Sequence, residues 1–218
     1  MSTEQLSTCY HVPVLLQESV DGLDIKPDGT YVDVTFGGGG HAQEILRRLG
    51  SKGRLIALDQ DAAAAGNAER IGDRRLTLVR GNFRFVRGLL RYHAAEQVDG
   101  LLGDLGVSWH QLDTGERGFS FRFDAPLDMR MNEQSSLTAA AVVGTYSARE
   151  LSRIFADYGE LSSAYKLAKA VEEARKSSPI ATVGEFLEVV RPLLPRLDEH
   201  KQLPRVFQAL RIEVNQEM

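Results

Sequence analysis

The sequence predicts an α/β fold: a Rossmann-like parallel sheet in the first half, followed by an all-helical second half. Three observations carry this expectation. Strand-like and helix-like periodicities alternate through the first hundred residues, the pattern of right-handed βαβ crossovers. Four consecutive glycines, Gly37 to Gly40, stand between the first strand of that series and its helix. After Gln111 the strand pattern stops and helical stripes replace it.

Thr30 to Phe36 (TYVDVTF) is apolar and β-branched and reads as the first strand. His41 to Leu49 reads as a helix, with Ile45, Leu46 and Leu49 on one face. Arg54 to Asp59 (RLIALD) is the second strand, and the alanine-rich stretch from Asp61 to Ile71 the next helix. Arg75 to Gly81 is the third strand, Phe83 to Tyr92 a short helix, and Val98 to Gly106 the fourth strand. Leu112 to Asn132 shows no clean period and reads as a long ordered loop. Ser147 with Glu150, and Thr182 with Glu185, have capping-box spacing. Leu151, Ile154, Phe155 and Tyr158 follow the first on one face; Phe186, Val189, Val190, Leu193 and Leu194 follow the second. Leu161 to Arg175 reads as a helix between them. Pro192 and Pro195 interrupt the helix after Thr182, and a last helix is expected from about Pro204.

Composition bounds the function. The 218 residues, 43% of them hydrophobic, suffice for one sizeable core and a smaller second unit. The single cysteine, Cys9, excludes an intrachain disulfide and suggests a reducing, cytoplasmic compartment. The opening residues show no basic segment followed by an apolar core, so no signal peptide is expected, and no apolar run is long enough to span a bilayer. The formal net charge of -4 means that any contact with nucleic acid must come from local patches.

A glycine-rich turn between a first strand and a helix is the ligand end of a Rossmann-like unit. Without Cβ atoms the turn can adopt positive φ and let a ligand lie against bare backbone. Asp59, at the end of the second strand, is placed to accept hydrogen bonds from a ribose diol. Together these features indicate an adenosine-containing ligand. Gly37, Gly39 and Ala42 can be fitted to the variant dinucleotide fingerprint G-x-G-x-x-A, so a nicotinamide cofactor stays open. S-adenosylmethionine, which has no pyrophosphate, meets the same requirements, and no Walker lysine is present. Gly103 to Asp113 (GDLGVSWHQLD) follows the fourth strand at the same edge; there Asp104 can accept from an amine, with Ser108 and Gln111 supplying further polar groups. No His or Cys lies at ligand spacing to His41, so no metal site is expected.

With these segments in place the chain resembles the S-adenosylmethionine-dependent ribosomal RNA small-subunit methyltransferase H family, also called MraW. The matching segments are HVPVLLQE (His11 to Glu18), TFGGGGHA (Thr35 to Ala42), ALDQD (Ala57 to Asp61), GNF (Gly81 to Phe83), DLGVS with QLD (Asp104 to Asp113), RGFSF (Arg117 to Phe121), PLDMRM (Pro126 to Met131) and FQALRIEVNQE (Phe207 to Glu217). The resemblance implies a class I methyltransferase core over residues 1–112, an inserted helical substrate domain over 113–203, and over 204–218 the start of a return to the core. It implies further sheet strands and a SFHS-like motif beyond Met218, so the chain is expected to be C-terminally truncated and its sheet incomplete. It implies methylation of the N4 amine of a cytosine in small-subunit (16S) ribosomal RNA near the decoding centre. The cofactor contacts it implies are Gly39, Gly40, His41, Asp59, Phe83, Asp104 and Gln111. Phe83 read by itself is equally a core residue at a helix start, and His41 an ordinary polar residue at a helix N-terminus. Where the family usually reads Ser-Pro after DLGVS, this chain has Trp109 and His110.

For such a reaction Asp104, or the loop from Asp104 to Ser108, is the catalytic candidate, as acceptor for the target amine. Cys9 lies before the first strand, which argues against a covalent carbon-5 mechanism. Arg117, Arg122 and Arg130, interleaved with Phe119, Phe121 and Phe123, are candidate RNA contacts, though the phenylalanines can equally anchor the loop to the core. Arg84, Arg87 and Arg91 read as a solvated helix face. Two other functions stay open on sequence grounds: a nicotinamide-dependent oxidoreductase, and a non-catalytic RNA-binding or assembly protein.

Overall fold

The computed structural model describes residues 13–113 and 115–218. Cys9 and the start of the HVPVLLQE segment lie outside the described residues. The chain divides into two compact units, residues 1–108 and 109–218.

The first unit holds α1 (Leu16–Gly22), β1 (Thr30–Asp33), α2 (Gly40–Arg48), β2 (Arg54–Asp59), α3 (Ala64–Ile71), β3 (Leu76–Arg80), a 3₁₀ turn (Phe83–Phe85), α4 (Val86–Tyr92) and β4 (Gly100–Leu102). The four strands form one parallel sheet in the order β3-β2-β1-β4. Every strand and helix expected here is present. β1 is shorter than the expected span, but its ladder runs on: the Val34 N–H donates to Leu102 O at 2.9 Å and the Phe36 N–H to Leu58 O at 3.0 Å. α3 starts later than expected because the Asp61 carboxylate first folds back to accept from the Ala63 N–H at 3.1 Å. α1 was not expected; it buries only Val20, too short a stripe to read.

The sheet is apolar on both faces, as parallel sheets covered by crossover helices are. Tyr31, Leu55 and Ala57 pack with Ile45, Leu46 and Leu49 on one face. Val32, Ile56, Leu58 and Val79 pack with Val86, Leu89 and Leu90 of α4 on the other. The alternation along β1 and β2 sends successive residues to opposite cores.

The second unit is all-helical: α5 (Trp109–Asp113), α6 (Ala139–Thr145), α7 (Ala148–Asp157), α8 (Ala164–Ala174), α9 (Val183–Val190) and α10 (Glu199–Asn215). Both capping boxes form, at Ser147 with Glu150 and at Thr182 with Glu185. Between α5 and α6 the chain is largely irregular, as expected, yet it is anchored. Leu127 and Met129 are buried, Pro126 bridges Thr182, and the Leu127 N–H donates to Ala181 O at 2.9 Å. α6, capped by Thr138, is too short to have been read. α9 ends at Val190 ahead of Pro192, with one 3₁₀ turn from Arg191 to Leu193.

α10 starts at Glu199, ahead of the Pro204 start that the sequence suggested. Proline inside a helix forfeits one backbone bond. The buried stripe of Leu203, Val206, Phe207 and Leu210 offsets that loss. The segment from residue 204 on packs within this unit, α10 lying against α6 and α7. Phe207 is the shared contact, edge-on to Phe121 at 5.5 Å and to Phe186 at 5.9 Å.

Asn215 ties the irregular segment to α10. Its Oδ1 accepts from the Met131 N–H at 2.7 Å, and its Nδ2 donates to Met129 O at 2.8 Å. Asn215→Ala strands both buried backbone groups and should destabilise the second unit by about 2 kcal/mol. Urea unfolding followed by circular dichroism checks this, an unchanged midpoint being the contrary result.

Candidate functional site

In an open parallel sheet, ligands bind outside the carboxyl ends of the strands where the strand order reverses. Here that point lies between β1 and β4, because β2 and β3 extend from one side of β1 and β4 pairs with the other. The residues leaving these strands therefore form the candidate site: Asp33 to Gly40, Asp59 to Asp61, and Gly103 to Ser108.

The glycine turn is held by its first residue. The Gly37 N–H donates to Asp59 Oδ2 at 2.7 Å, and Gly37 O accepts from Asn67 Nδ2 at 2.8 Å. Gly37 and Gly39 sit at φ of +49° and +81°, a region that side chains disfavour. A Cβ on Gly39 would lie 2.8 Å from Ile71 Cδ1, and one on Gly40 would lie 2.5 Å from Pro13 Cγ. Part of the reason for four glycines is thus internal: the turn must pass close to its own chain. α2 begins at Gly40, and the N–H groups of its first turn have no intrahelical acceptors.

Asp59 spends one oxygen on Gly37 and the other on the Asp61 N–H at 2.9 Å. Burial raises its pKa, against the Asp61, Gly37 and Gln60 N–H groups that favour the charged form. With these N–H groups in place, one lone pair of the carboxylate is left for a ligand. Asp104 is exposed, and its N–H donates to Thr35 Oγ1 at 2.7 Å, so its loop is pinned to the chain leaving β1. Ser108 is half-buried at the end of the same loop. His41 is buried on α2 with its Nε2 unpartnered among the described residues. Burial lowers its pKa, and the nearby Asp104 carboxylate pulls the other way. Phe83 is half-buried in the 3₁₀ turn, packed on the sheet face that α4 covers.

One residue of this site escaped the sequence reading. Asp33 ends β1 and is fully buried, and its Oδ2 has no partner among the described residues. Its Oδ1 accepts from the Thr35 N–H at 3.0 Å and faces the Thr35 hydroxyl at 3.5 Å. The sequence DVTF gave one signal, an acid inside an otherwise apolar strand. Asp33, Thr35 and the Asp104 N–H form a chain of contacts linking the ends of β1 and β4.

The remaining candidates lie in the second unit. Gln111 is buried in α5; the side chains of Trp109 and His110 lie outside the described parts. Arg130 is committed locally: it grips Asp128 with two bonds of 2.8 and 2.7 Å and donates to Glu133 O and Ser135 O. Arg117 donates to Arg130 O at 2.7 Å and Met131 O at 3.1 Å, and lies over the Phe119 ring. Phe119 is buried and Phe121 packs on Phe207. Arg122 and Phe123 are exposed. Among the described residues no three His, Cys, Asp or Glu side chains are grouped as a metal site, and no helix is long and apolar enough to cross a membrane.

The fold and this edge define an open parallel α/β protein with a glycine turn, a strand-end acid, and two buried polar atoms, Asp33 Oδ2 and His41 Nε2, without a partner among the described residues. The groups present fit a phosphate-free nucleoside ligand with hydroxyl and amine groups, such as S-adenosylmethionine: a carboxylate lone pair left over on Asp59, Asp33 Oδ2 and His41 Nε2 unpartnered, and, among the described residues of this edge, no lysine for a phosphate. The family model described as MraW methylase family matches residues 8–218, and the chain belongs to that family. Ribosomal RNA small subunit methyltransferase H of Bacteroides thetaiotaomicron is 60% identical over 209 residues, 96% of this chain and 68% of its own length. The proteins of the same name from Bacteroides fragilis and Flavobacterium johnsoniae are 58% and 57% identical, over 97% and 96% of this chain and 69% and 68% of theirs. The chain is thus a methyltransferase, and the nicotinamide oxidoreductase is set aside.

Burial raises the Asp33 pKa to about 7, with the Asp59 and Asp104 charges adding to the effect against the Thr35 contacts. The folded chain therefore holds a proton that the unfolded chain, with an ordinary carboxyl, gives up near pH 4. The contribution of Asp33 to stability is full below that pH and is lost as pH rises to about 7. Asp33→Asn should flatten the decline in stability between those limits, as thermal midpoints measured across the range would record. An unaltered slope would mean that Asp33 is ionised throughout.

Proposed function

We propose that the chain transfers the methyl group of S-adenosylmethionine to the N4 amine of a cytosine in small-subunit (16S) ribosomal RNA, near the decoding centre. The observation that carries this reading is the site at the β1/β4 switch point, where the Asp59-anchored glycine turn faces the Thr35-pinned Asp104, in a chain of the MraW methylase family. The named relatives act on small-subunit ribosomal RNA, which supplies the substrate class. On this reading the chain works in the cytoplasm with the small ribosomal subunit as partner.

Bound at this edge, S-adenosylmethionine supplies a methyl group already activated by its sulfonium, so the protein's part is positioning and exclusion of water. Asp59 offers its remaining lone pair to a ribose hydroxyl while it holds Gly37. Gly40 and His41 present backbone N–H groups and one unpartnered imidazole nitrogen, while Gly39, whose own N–H is given to Phe36 O at 2.8 Å, offers bare backbone for close approach. Phe83 gives an apolar wall for a base. Gln111 is assigned to the cofactor by the family resemblance. The target cytosine must leave its stack to reach the crevice. Asp104 accepts a hydrogen bond from its exocyclic amine, raises the nucleophilicity of that nitrogen, and is placed to take up the proton it loses. Ser108 closes the same loop. Asp33 and Thr35 fix the Asp104 backbone.

Of the three arginines, Arg122 is the one with its charge at the surface, and it is proposed to meet RNA phosphate. Arg117 and Arg130 serve the RNA indirectly: their donors hold the shape of the segment that presents Arg122 and Phe123.

Calorimetric titration with S-adenosylmethionine should show saturable binding. Asp59→Ala, which removes the anchor of the turn as well as the ribose acceptor, should weaken it roughly 10- to 100-fold, the equivalent of one or two charge-assisted hydrogen bonds. Small subunits from cells lacking the modification should then gain N4-methylcytidine, identified by mass spectrometry of digested RNA. A folded chain that binds no cofactor, or a product methylated on carbon-5, would overturn the proposal.

A further inference from the structure

We infer that the outer face of α4, with the 3₁₀ turn before it, is a second RNA-contact surface on the first unit, lying beside the methyl-transfer crevice. The inference rests on the RNA substrate proposed above. It starts from charge. Residues 80–92 (RGNFRFVRGLLRY) contain Arg80, Arg84, Arg87 and Arg91 and no acid, in a chain whose net charge is -4. All four arginines are exposed. A solvated helix face ordinarily mixes the two signs.

Packing determines where these charges point. α4 turns Val86, Leu89 and Leu90 onto the sheet. Helical geometry then puts Arg87, Gly88 and Arg91 on the opposite side. Glu96 approaches Arg91 only to 3.8 Å, and both side chains are about two-thirds exposed. A pair so long and so wet neutralises little.

Two exposed aromatics flank the arginines. Phe85 is 60% exposed and Tyr92 85% exposed. The Arg84 guanidinium lies over the Phe85 ring, 5.1 Å from its centroid. Exposed rings between cations form a surface on which unpaired bases stack while phosphates find charge. The RNA substrate proposed above makes RNA the occupant that this mixture of charge and rings fits.

Location supports the same reading. The 3₁₀ turn leaves the carboxyl end of β3, and the preceding Asn82 donates to the Gln60 side chain at 3.1 Å, next to Asp59. An RNA with its target base in the crevice therefore has its flanking nucleotides within reach of this face.

Gly88 provides a test that leaves the fold alone. A Cβ there meets nothing within 4 Å, and any side chain improves on glycine in a helix. Gly88→Glu should weaken binding to fluorescently labelled, protein-free small-subunit RNA about fourfold, and Gly88→Lys should tighten it similarly, from one charge at physiological salt. The triple substitution Arg84→Ala, Arg87→Ala, Arg91→Ala should cost roughly 10- to 50-fold and lower the salt slope by about two, with affinity for S-adenosylmethionine unchanged. If the parent chain binds the RNA and all three variants bind it equally well with the same salt slope, the inference is wrong while the proposed reaction stands. If the variants differ only on intact subunits and not on protein-free RNA, the face meets a ribosomal protein and the inference is again overturned. A parent chain that neither binds nor methylates the RNA would remove both readings.

Discussion

The grip of the Asp59 carboxylate on the Gly37 N–H is the contact on which the ligand edge depends. It joins the end of β2 to the turn leaving β1 and so fixes where the backbone of α2 begins. Asn67 completes the hold by taking the carbonyl of the same residue. With both of its backbone groups bound, Gly37 accepts a positive φ, and the turn can run close enough to Phe36, Ile71 and Pro13 that no side chain fits at Gly39 or Gly40. A turn stabilised this way is built before any ligand arrives. Preorganisation of this kind lowers the cost of binding.

The opposite wall of the crevice is set by a different device. Asp33, at the end of β1, is fully buried, and that burial raises its pKa to about 7. Its Oδ1 takes the Thr35 N–H, and the Thr35 hydroxyl takes the Asp104 N–H. A charged carboxylate in that place would stand close to Asp59 and Asp104 with little water to screen it. A neutral acid avoids the repulsion and leaves the buried Oδ2 able to hydrogen-bond. The ligand edge thus combines one carboxylate that anchors, one that is exposed, and one that burial keeps protonated up to about pH 7.

Arginine chemistry divides along similar lines. The segment RGFSFRFDAPLDMRMN carries three arginines among aromatics and reads as a nucleic-acid surface. Two of its arginines are instead internal braces, with guanidinium N–H groups given to backbone carbonyls and to Asp128. The arginines of α4 read as an ordinary solvated face, yet they project together with two exposed aromatic rings. The same residue type serves as brace or as contact according to which acceptors the fold brings within about 3 Å of it.

The α/β class, the four strands and their order of appearance, the glycine turn, Asp59 and Asp104 were all legible in the sequence, because periodicity, β-branching and turn chemistry are local properties. Both capping boxes were legible for the same reason: their partners are three residues apart. The start of α10 at Glu199 was not, since a buried stripe outweighs the local preference of Pro204. Nor was the role of Asp33, whose protonation follows from complete burial near two other acids. The commitments of Arg117 and Arg130 were equally hidden, because a side chain's acceptors are known only once distant backbone is folded around it. Local sequence thus determined which elements form and which of them carries the ligand turn. Tertiary structure decided which charges stay charged, which donors are spent, and which face is left open, because burial and hydrogen-bond distance are properties of the packed chain.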